Sequence, residues 1–183
     1  MRGEYWMEIL QKKGVEAEFL PIKAPFWKNQ RGNGMVRLSG QNIDEIRIRT
    51  RLLGGGAQGG NARYETNFKI YLDRPLQAVI KKAVTAKTRP IWQKKSMGVS
   101  WGKITDVEWI GGSITQALNQ DTNLRMMILS VVQDETEIRI KPEGKSIVNI
   151  RKQEPEGRLS GSVDEFEAFD KIAKQVREIA TTY

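Results

Sequence analysis

The alternation of apolar and polar residues predicts two adjacent β-strands in the first half of the chain. Residues 46–52 alternate apolar side chains with arginines, and residues 63–72 continue the same period of two. This period is typical of strands with one buried and one solvated face. If the strands pair as an antiparallel hairpin, Arg49 faces Glu65. The arginines of the first strand then form a basic stripe on the solvated face: Arg47, Arg49 and Arg51.

Apolar residues that recur three and four positions apart predict two longer helices, at about residues 113–132 and 163–181. Ser113 stands at the N-cap position of the first helix. The second helix opens with a capping box, Ser162-Val163-Asp164-Glu165, in which the serine and the glutamate satisfy each other's backbone N–H groups. A short helix is also predicted near the N-terminus, at about residues 4–13.

The order of the predicted elements favours an α+β domain. A strand-rich middle is followed by a helix, a hairpin at about residues 136–150 and a closing helix, and repeated βαβ units are absent. We therefore expect a mainly antiparallel sheet with the two longer helices packed on one face. Residues 1–183 form one domain, in which residues 1–34 either pack with the rest or extend as an arm. The expected core residues are Phe68, Ile70, Leu118, Ile128, Ile138, Ile150, Phe169 and Val176.

Asp121 is a distinctive carboxylate, because helical spacing puts it on the apolar stripe of the first longer helix. Arg125 follows one turn later, so the two side chains are expected to pair at the i,i+4 spacing. A site carboxylate held in an apolar cleft is one interpretation, and a structural ion pair is the other. The sequence favours the ion pair.

The composition excludes several classes of chemistry. The chain has 183 residues, with no cysteine and no histidine. Disulfides, thiolate metal sites and cysteine nucleophiles are therefore excluded, as are Ser-His-Asp triads and histidine-based metal sites. No set of nucleophile, base and orienting group can be assembled from the visible motifs. We therefore expect a protein that is not an enzyme and that carries no metal or cofactor.

Two short motifs have structural interpretations. Residues 54–59 match the Gly-x-Gly-x-x-Gly pattern of dinucleotide sites, but a strand is predicted after them where such a site needs a helix. Residues 98–103 contain two glycines and a lysine without the spacing of a phosphate-binding loop. Their Ser-x-x-Lys sequence lacks the helix and the partner motifs of acylating enzymes. We interpret both segments as loops.

The net charge of +8 is concentrated in one segment, residues 74–105. This segment has eight lysines and arginines and no acidic residue, while the rest of the chain has as many acidic as basic residues. Lysine and arginine neutralise phosphates, and an exposed indole stacks on a base. The candidate contact residues for an anionic partner are Lys81, Lys82, Lys87, Arg89, Trp92, Lys94 and Lys95, joined by Arg47 and Arg51 if the stripe lies on the same face.

Three functions are compatible with this pattern. The first is a binding or scaffolding domain for a protein partner or a second copy, acting through an apolar patch around Phe26 and Trp27 or through an unpaired sheet edge. The second is sequence-tolerant binding of nucleic acid or an anionic surface through residues 74–105. The third is a carboxylate-based metal-dependent nuclease. Its candidate residues are Asp134, Glu135, Glu137, Lys141, Glu143 and Lys145. The sequence favours the first.

No signal peptide or transmembrane segment is predicted. The N-terminal residues mix acidic and aromatic side chains, and no apolar run approaches the ~18 residues of a spanning helix. Together with the absence of cysteine, this predicts a cytoplasmic location, either for the chain alone or for the soluble part of a longer membrane protein.

Overall fold

A computed structural model describes residues 2–22, 34–53, 61–92, 104–132, 136–155 and 161–182. The strands are β1 (Glu16–Pro21), β2 (Gly34–Ser39), β3 (Glu45–Leu53), β4 (Asn61–Tyr71), β5 (Ala86–Trp92), β6 (Ile104–Gly111), β7 (Glu137–Glu143) and β8 (Ile147–Pro155). The helices are α1 (Arg2–Lys12), α2 (Ala78–Ala83), α3 (Ile114–Gln120), α4 (Thr122–Val131) and α5 (Val163–Thr182).

The eight strands form one sheet in the order β1-β2-β3-β4-β8-β7-β5-β6, and each neighbouring pair is antiparallel. The β7–β8 hairpin therefore lies between β4 and β5, although it comes last among the strands in the sequence. The predicted α+β class is confirmed. Within the described ranges, no helix is both long enough and apolar enough to cross a membrane.

The core lies between the sheet and a layer of helices on one of its faces. Phe68 of β4 stacks on Phe169 of α5, with ring centroids 4.1 Å apart, and meets Trp6 of α1 edge-on at 5.8 Å. Aromatic pairs in these offset and edge-to-face arrangements add to the free energy gained by burying the rings. All eight core residues predicted from the sequence are buried.

The predicted hairpin of β3 and β4 has the expected register. Arg49 lies opposite Glu65, and one position along the hairpin the buried Ile48 lies opposite the buried Thr66. Residues opposite each other in an antiparallel pair share a face of the sheet. The arginines of β3 therefore share the face opposite the helices.

Helix α5 is fixed across the sheet by charged contacts to the β2–β3 turn. Asp170 accepts hydrogen bonds from the backbone N–H groups of Asn42 (2.8 Å) and Ile43 (3.1 Å) and from the Asn42 amide (2.7 Å). Arg177 donates to Asp44 at 2.7 Å. A carboxylate that accepts several N–H bonds orients both partners, so this turn and the helix hold each other in place.

The predicted helix at residues 113–132 is two helices, because the chain leaves the helical conformation at Asp121. Asp121 ends α3 and caps α4, accepting a hydrogen bond from the N–H of Leu124 at 2.9 Å. The prediction that Asp121 pairs with Arg125 is wrong, since Arg125 pairs with Asp106 of β6. Ser113 is also not a side-chain cap: it has helical dihedral angles and makes no capping hydrogen bond.

The predicted capping box at the start of α5 is half formed. The Ser162 hydroxyl accepts a hydrogen bond from the N–H of Glu165 at 3.0 Å, as predicted. The carboxylate of Glu165 accepts from the N–H of Gly161 at 3.2 Å instead of from that of Ser162. The helix start is therefore capped, but its glutamate also reaches into the interior.

Side-chain amides occupy both outer edges of the sheet. At β6, Asn119 accepts from the N–H of Trp109 at 2.8 Å and donates to its carbonyl at 2.9 Å. At β1, Gln11 donates to the carbonyl of Ala17 at 2.9 Å. These contacts satisfy backbone groups that a further strand would otherwise pair with.

Candidate anion-binding site

The face of the sheet opposite the helices, here called the open face, carries a row of cations that crosses five strands. In the register, Arg47 lies opposite Asn67, Asn67 opposite Arg151, Arg151 opposite Arg139, and Arg139 opposite Lys87. Neighbouring strands are about 4.8 Å apart, so this basic row is about 19 Å long. Four of its five positions are cationic, although the residues come from distant parts of the chain.

Two asparagines form a buried amide pair beside the row. Asn149 donates to the side-chain oxygen of Asn67 at 2.8 Å and to Glu143 at 2.7 Å. Asn67 in turn donates to Glu65 at 3.0 Å. Both asparagines are 4% exposed. Because the carboxylates at the two ends only accept, the orientation of both amides is determined.

The amide pair is the floor of a cavity of about 210 Å³, here called the amide cup. The cup exists because two short asparagine side chains are surrounded by longer ones. Arg47 and Arg49 of β3 lie on one side, and Arg139 and Lys141 of β7 lie on the other. The remaining wall residues, from the strands that supply the floor and from the end of β7, are Glu65, Lys69, Pro142, Glu143 and Arg151.

The lining of the amide cup is strongly cationic, with six lysines and arginines against two carboxylates. Both carboxylates already have partners: Glu65 accepts from Gln153 at 3.1 Å, and Glu143 accepts from Lys69 at 3.1 Å. Burial alone would raise the pKa of Glu143, but the hydrogen bonds from Lys69 and Asn149 hold that pKa below its usual value. Glu143 is therefore held in its charged form, and the cations of the cup outnumber its carboxylates.

The cations of the open face differ in how they are paired. Arg47 pairs with Glu45 at 2.7 Å, and Arg139 pairs with Glu137, whose hydrogen bond raises the pKa of the arginine. Arg49, Lys87 and Lys141 are exposed and form no ion pair with any residue that the structure describes. None of these three cations has to leave a described ion pair to meet an external anion, although the charge of Arg49 also helps to lower the pKa of Glu143.

Part of the basic segment predicted from the sequence lies on the open face. Lys87 and Arg89 of β5 share this face with Arg47. The arginine stripe and this part of the basic segment therefore lie on the same face of the sheet. Arg89 also pairs with Glu108 of the edge strand β6. Arg51 lies opposite Arg63 in the same hairpin.

The other candidates of that segment are elsewhere. Lys81 and Lys82 belong to α2, which buries Ile80 and contacts α5 on the helical side. Trp92 ends β5 and is 38% exposed. Lys94 and Lys95 fall outside the described residues, as do Phe26, Trp27 and Trp101. Their roles stay predictions.

The carboxylates proposed for a nuclease are engaged in ion pairs where they are described. Glu137 pairs with Arg139, and Glu143 pairs with Lys69. Within the described ranges, no group of three or more acidic side chains is close enough to hold a metal ion. Asp134 and Glu135 lie outside those ranges.

A second charged cluster lies in the protein interior, between β8 and the start of α5. Lys152 forms an ion pair with Glu154 at 2.9 Å, and the carboxylate of Glu165 accepts a hydrogen bond from the N–H of Gly161. These three charged side chains are 3–5% exposed, so the cluster offers little surface to a ligand. We interpret it as a structural contact between the sheet and α5.

Sequence reasoning missed most of the amide cup. Asn67 and Asn149 were simply polar positions of two strands, and Lys69, Arg139 and Arg151 were ordinary charges on solvated faces. Only the order of the strands in the sheet would have identified these residues, because β8 pairs with β4 and so brings the two asparagines together. Hydrophobic periodicity carries no information about that pairing.

The comparisons with known proteins add no relative to this description. The chain matches no protein-family model, no curated protein and no solved structure.

Proposed function

We propose that the protein binds nucleic acid through the open face of its sheet, with little dependence on sequence. The observation that carries the proposal is the basic row of Arg47, Arg151, Arg139 and Lys87 across the sheet. Phosphates dominate the affinity of proteins for nucleic acid, and cations held at intervals along a surface match a repeating anion.

The length of the row favours a polymer over a small anion. A single phosphate contacts one or two side chains, whereas the row extends over about 19 Å because five strands are about 4.8 Å apart. Arginines predominate, and their planar guanidinium groups bind phosphate oxygens in pairs. An extended strand with a phosphate at each nucleotide satisfies both features.

The side-chain amides near the row support binding without base readout. The amide groups of Asn67, Asn149 and Gln153 already donate to acceptors within the protein. Bidentate recognition of adenine by an asparagine or glutamine requires an amide that is free to contact the base edge. Phosphate contacts therefore account for the expected affinity.

The test is a titration of a fluorescently labelled single strand at several salt concentrations, read by anisotropy. The double variant Arg49→Glu/Lys87→Glu reverses two exposed cations that form no described ion pair. We expect at least a tenfold loss of affinity and a reduction of about 1 to 2 in the slope of log K against log salt, since each phosphate contact contributes about 0.7 for a single strand.

The matched control is Lys12→Glu/Lys174→Glu, which makes the same change in net charge on the helical side. The affinity of the control is expected to stay within about twofold of that of the wild type, because surface charges more than a Debye length apart are screened. Equal losses in both double variants would show a net-charge effect and contradict the proposal. So would the absence of binding at low salt.

The scaffolding hypothesis has one supporting observation. Ile91 and Trp92 are adjacent at the end of β5 and are 42% and 38% exposed, respectively. Large exposed apolar side chains at the end of a strand are one feature of contact surfaces. Sedimentation of the wild type and of Ile91→Ser/Trp92→Ser tests whether this surface joins two copies of the chain. A wild-type dimer that the variant loses would support self-association. A monomer in both proteins would contradict self-association.

A further inference from the structure

We propose that the amide cup binds the terminal phosphate of a nucleic-acid strand, so that the protein prefers phosphorylated ends. This inference rests on the proposed function and adds a specific subsite to it. A terminal phosphate is a monoester, with a second ionisation and an O–H group that the diesters inside a strand lack. Three properties of the cup fit the monoester better.

The first property is enclosure. The floor of Asn67 and Asn149 is flanked by cations of β3 and of β7, while along the strands Arg151 stands towards one end and the Lys69–Glu143 pair towards the other. A continuous strand enters and leaves its site through two openings. A space that is closed on four sides instead receives a group that projects from the end of a chain.

The second property is size. The volume of about 210 Å³ is below the ~300–1,000 Å³ of pockets that enclose whole small molecules. A phosphate group fits such a space, and its nucleoside remains outside, over the basic row.

The third property is charge. Six cations and two carboxylates surround the cup, and the carboxylates are held by internal hydrogen bonds. A phosphodiester brings one negative charge, whereas a terminal phosphate brings about 1.5 to 2 at neutral pH. The denser anion gains more from a site where cations converge from both sides.

The experiment compares three labelled strands of one sequence, with a 5′-phosphate, with a 3′-phosphate and with neither, binding to the full chain. We expect one phosphorylated end to bind at least fivefold more tightly than the unphosphorylated strand. The variant Lys141→Gln changes a cation of the cup that is not part of the basic row, so it should reduce this preference while the unphosphorylated strand still binds. The control Lys174→Gln, on α5, should keep the preference.

The outcomes separate this inference from the proposed function. Equal binding of all three strands would overturn the phosphate subsite and leave nucleic-acid binding intact, whereas no binding of any strand would overturn both. Tighter binding to vesicles that carry a phosphomonoester lipid than to any strand would assign the cup to a membrane headgroup instead.

Discussion

The ammonium group of Lys152 lies 3.0 Å from the Oε1 of Glu165, and both side chains are almost completely buried. Burial raises the pKa of Glu165; Lys152 opposes this effect, and the nearby Glu154 adds to it. A buried ion pair compensates its own desolvation only while both partners are present. This contact joins β8 to the first turn of α5, so the docking of the longest helix depends on a charge balance inside the protein.

Replacing Lys152→Met should strongly destabilise the protein. The change leaves Glu154 and Glu165 in the interior without their cation, and removing one partner of a buried pair costs about 3–5 kcal/mol. Urea unfolding at neutral pH, followed by circular dichroism, measures the change in the free energy of unfolding.

The control for this variant is Lys174→Met on the exposed side of α5. Lys174 is 3.9 Å from Glu178, and its side chain is 65% exposed. Exposed pairs contribute at most about 1 kcal/mol, so the control should remain close to the wild type. Similar losses in the free energy of unfolding in the two variants would contradict the prediction that the buried cluster stabilises the fold more than an exposed ion pair does.

Replacing Glu165→Gln should change how stability depends on pH. Because the folded pKa of Glu165 is raised above 4.5, the folded protein binds more protons than the unfolded chain between pH 4.5 and that pKa. The free energy of unfolding contributed by Glu165 therefore falls as the pH rises through this window. The glutamine has no such titration and still offers an oxygen to Gly161.

Urea unfolding at a series of pH values from 4.5 to neutral checks this prediction. The stability of Glu165→Gln relative to the wild type is expected to increase steadily with pH. A difference that stays constant across the series would show that the carboxylate does not titrate inside this range.

Replacing Gly112→Ala should cost about 3 kcal/mol, at the upper end of the range for overpacking. A Cβ at Gly112 would overlap the backbone carbonyls of Lys82 and Ala83, which cannot rotate away. Gly144→Ala is the control, because its Cβ would meet nothing within 4 Å and only the positive φ of 68° opposes it, at about 1–2 kcal/mol. Thermal and urea unfolding of both variants give the comparison. A Gly112→Ala protein that is more stable than Gly144→Ala would contradict the packing.

Replacing Glu143→Gln should strengthen anion binding and weaken the fold at neutral pH. It removes one of the two carboxylates of the amide cup and releases Lys69 towards the ligand. Since the folded pKa of Glu143 is lowered below 4.5, its stabilising contribution is present above pH 4.5 and is lost as the pH falls through the folded pKa. The difference in the free energy of unfolding between the wild type and the variant should therefore disappear in acid.

The control is Glu178→Gln, which changes the same charge on α5, outside the cup. Anisotropy with the labelled strand measures affinity, and urea unfolding at neutral and acidic pH measures stability. Weaker binding by Glu143→Gln than by Glu178→Gln would show that this carboxylate positions the ligand instead of repelling it.

Local pattern predicted the hairpin of β3 and β4 because the evidence lay within the two strands. Their period of two fixes which side chains share a face, and a one-residue slip would expose every apolar residue. Arg49 therefore lies opposite Glu65, as expected. Phe68 and Ile70 are buried for the same reason.

The partner of Arg125 could not be predicted in this way. Along a helix, the spacing to Asp121 predicts an ion pair, but the Asp121 carboxylate gains a backbone N–H by breaking the helix and capping α4. Arg125 then meets Asp106 on β6, a contact that depends on how α4 packs against that strand. The meeting of Asn67 and Asn149 is likewise a product of strand order.

The single amide of Asn119 has a consequence for molecules in crowded solution. It meets both backbone groups of Trp109 and so makes the hydrogen bonds that a ninth strand would make there. A second copy that approaches β6 sideways therefore finds the ladder already occupied at this residue. Polymerisation by continuation of the sheet from one molecule to the next, which is the geometry of cross-β fibrils, is interrupted where α3 folds back over its own strand.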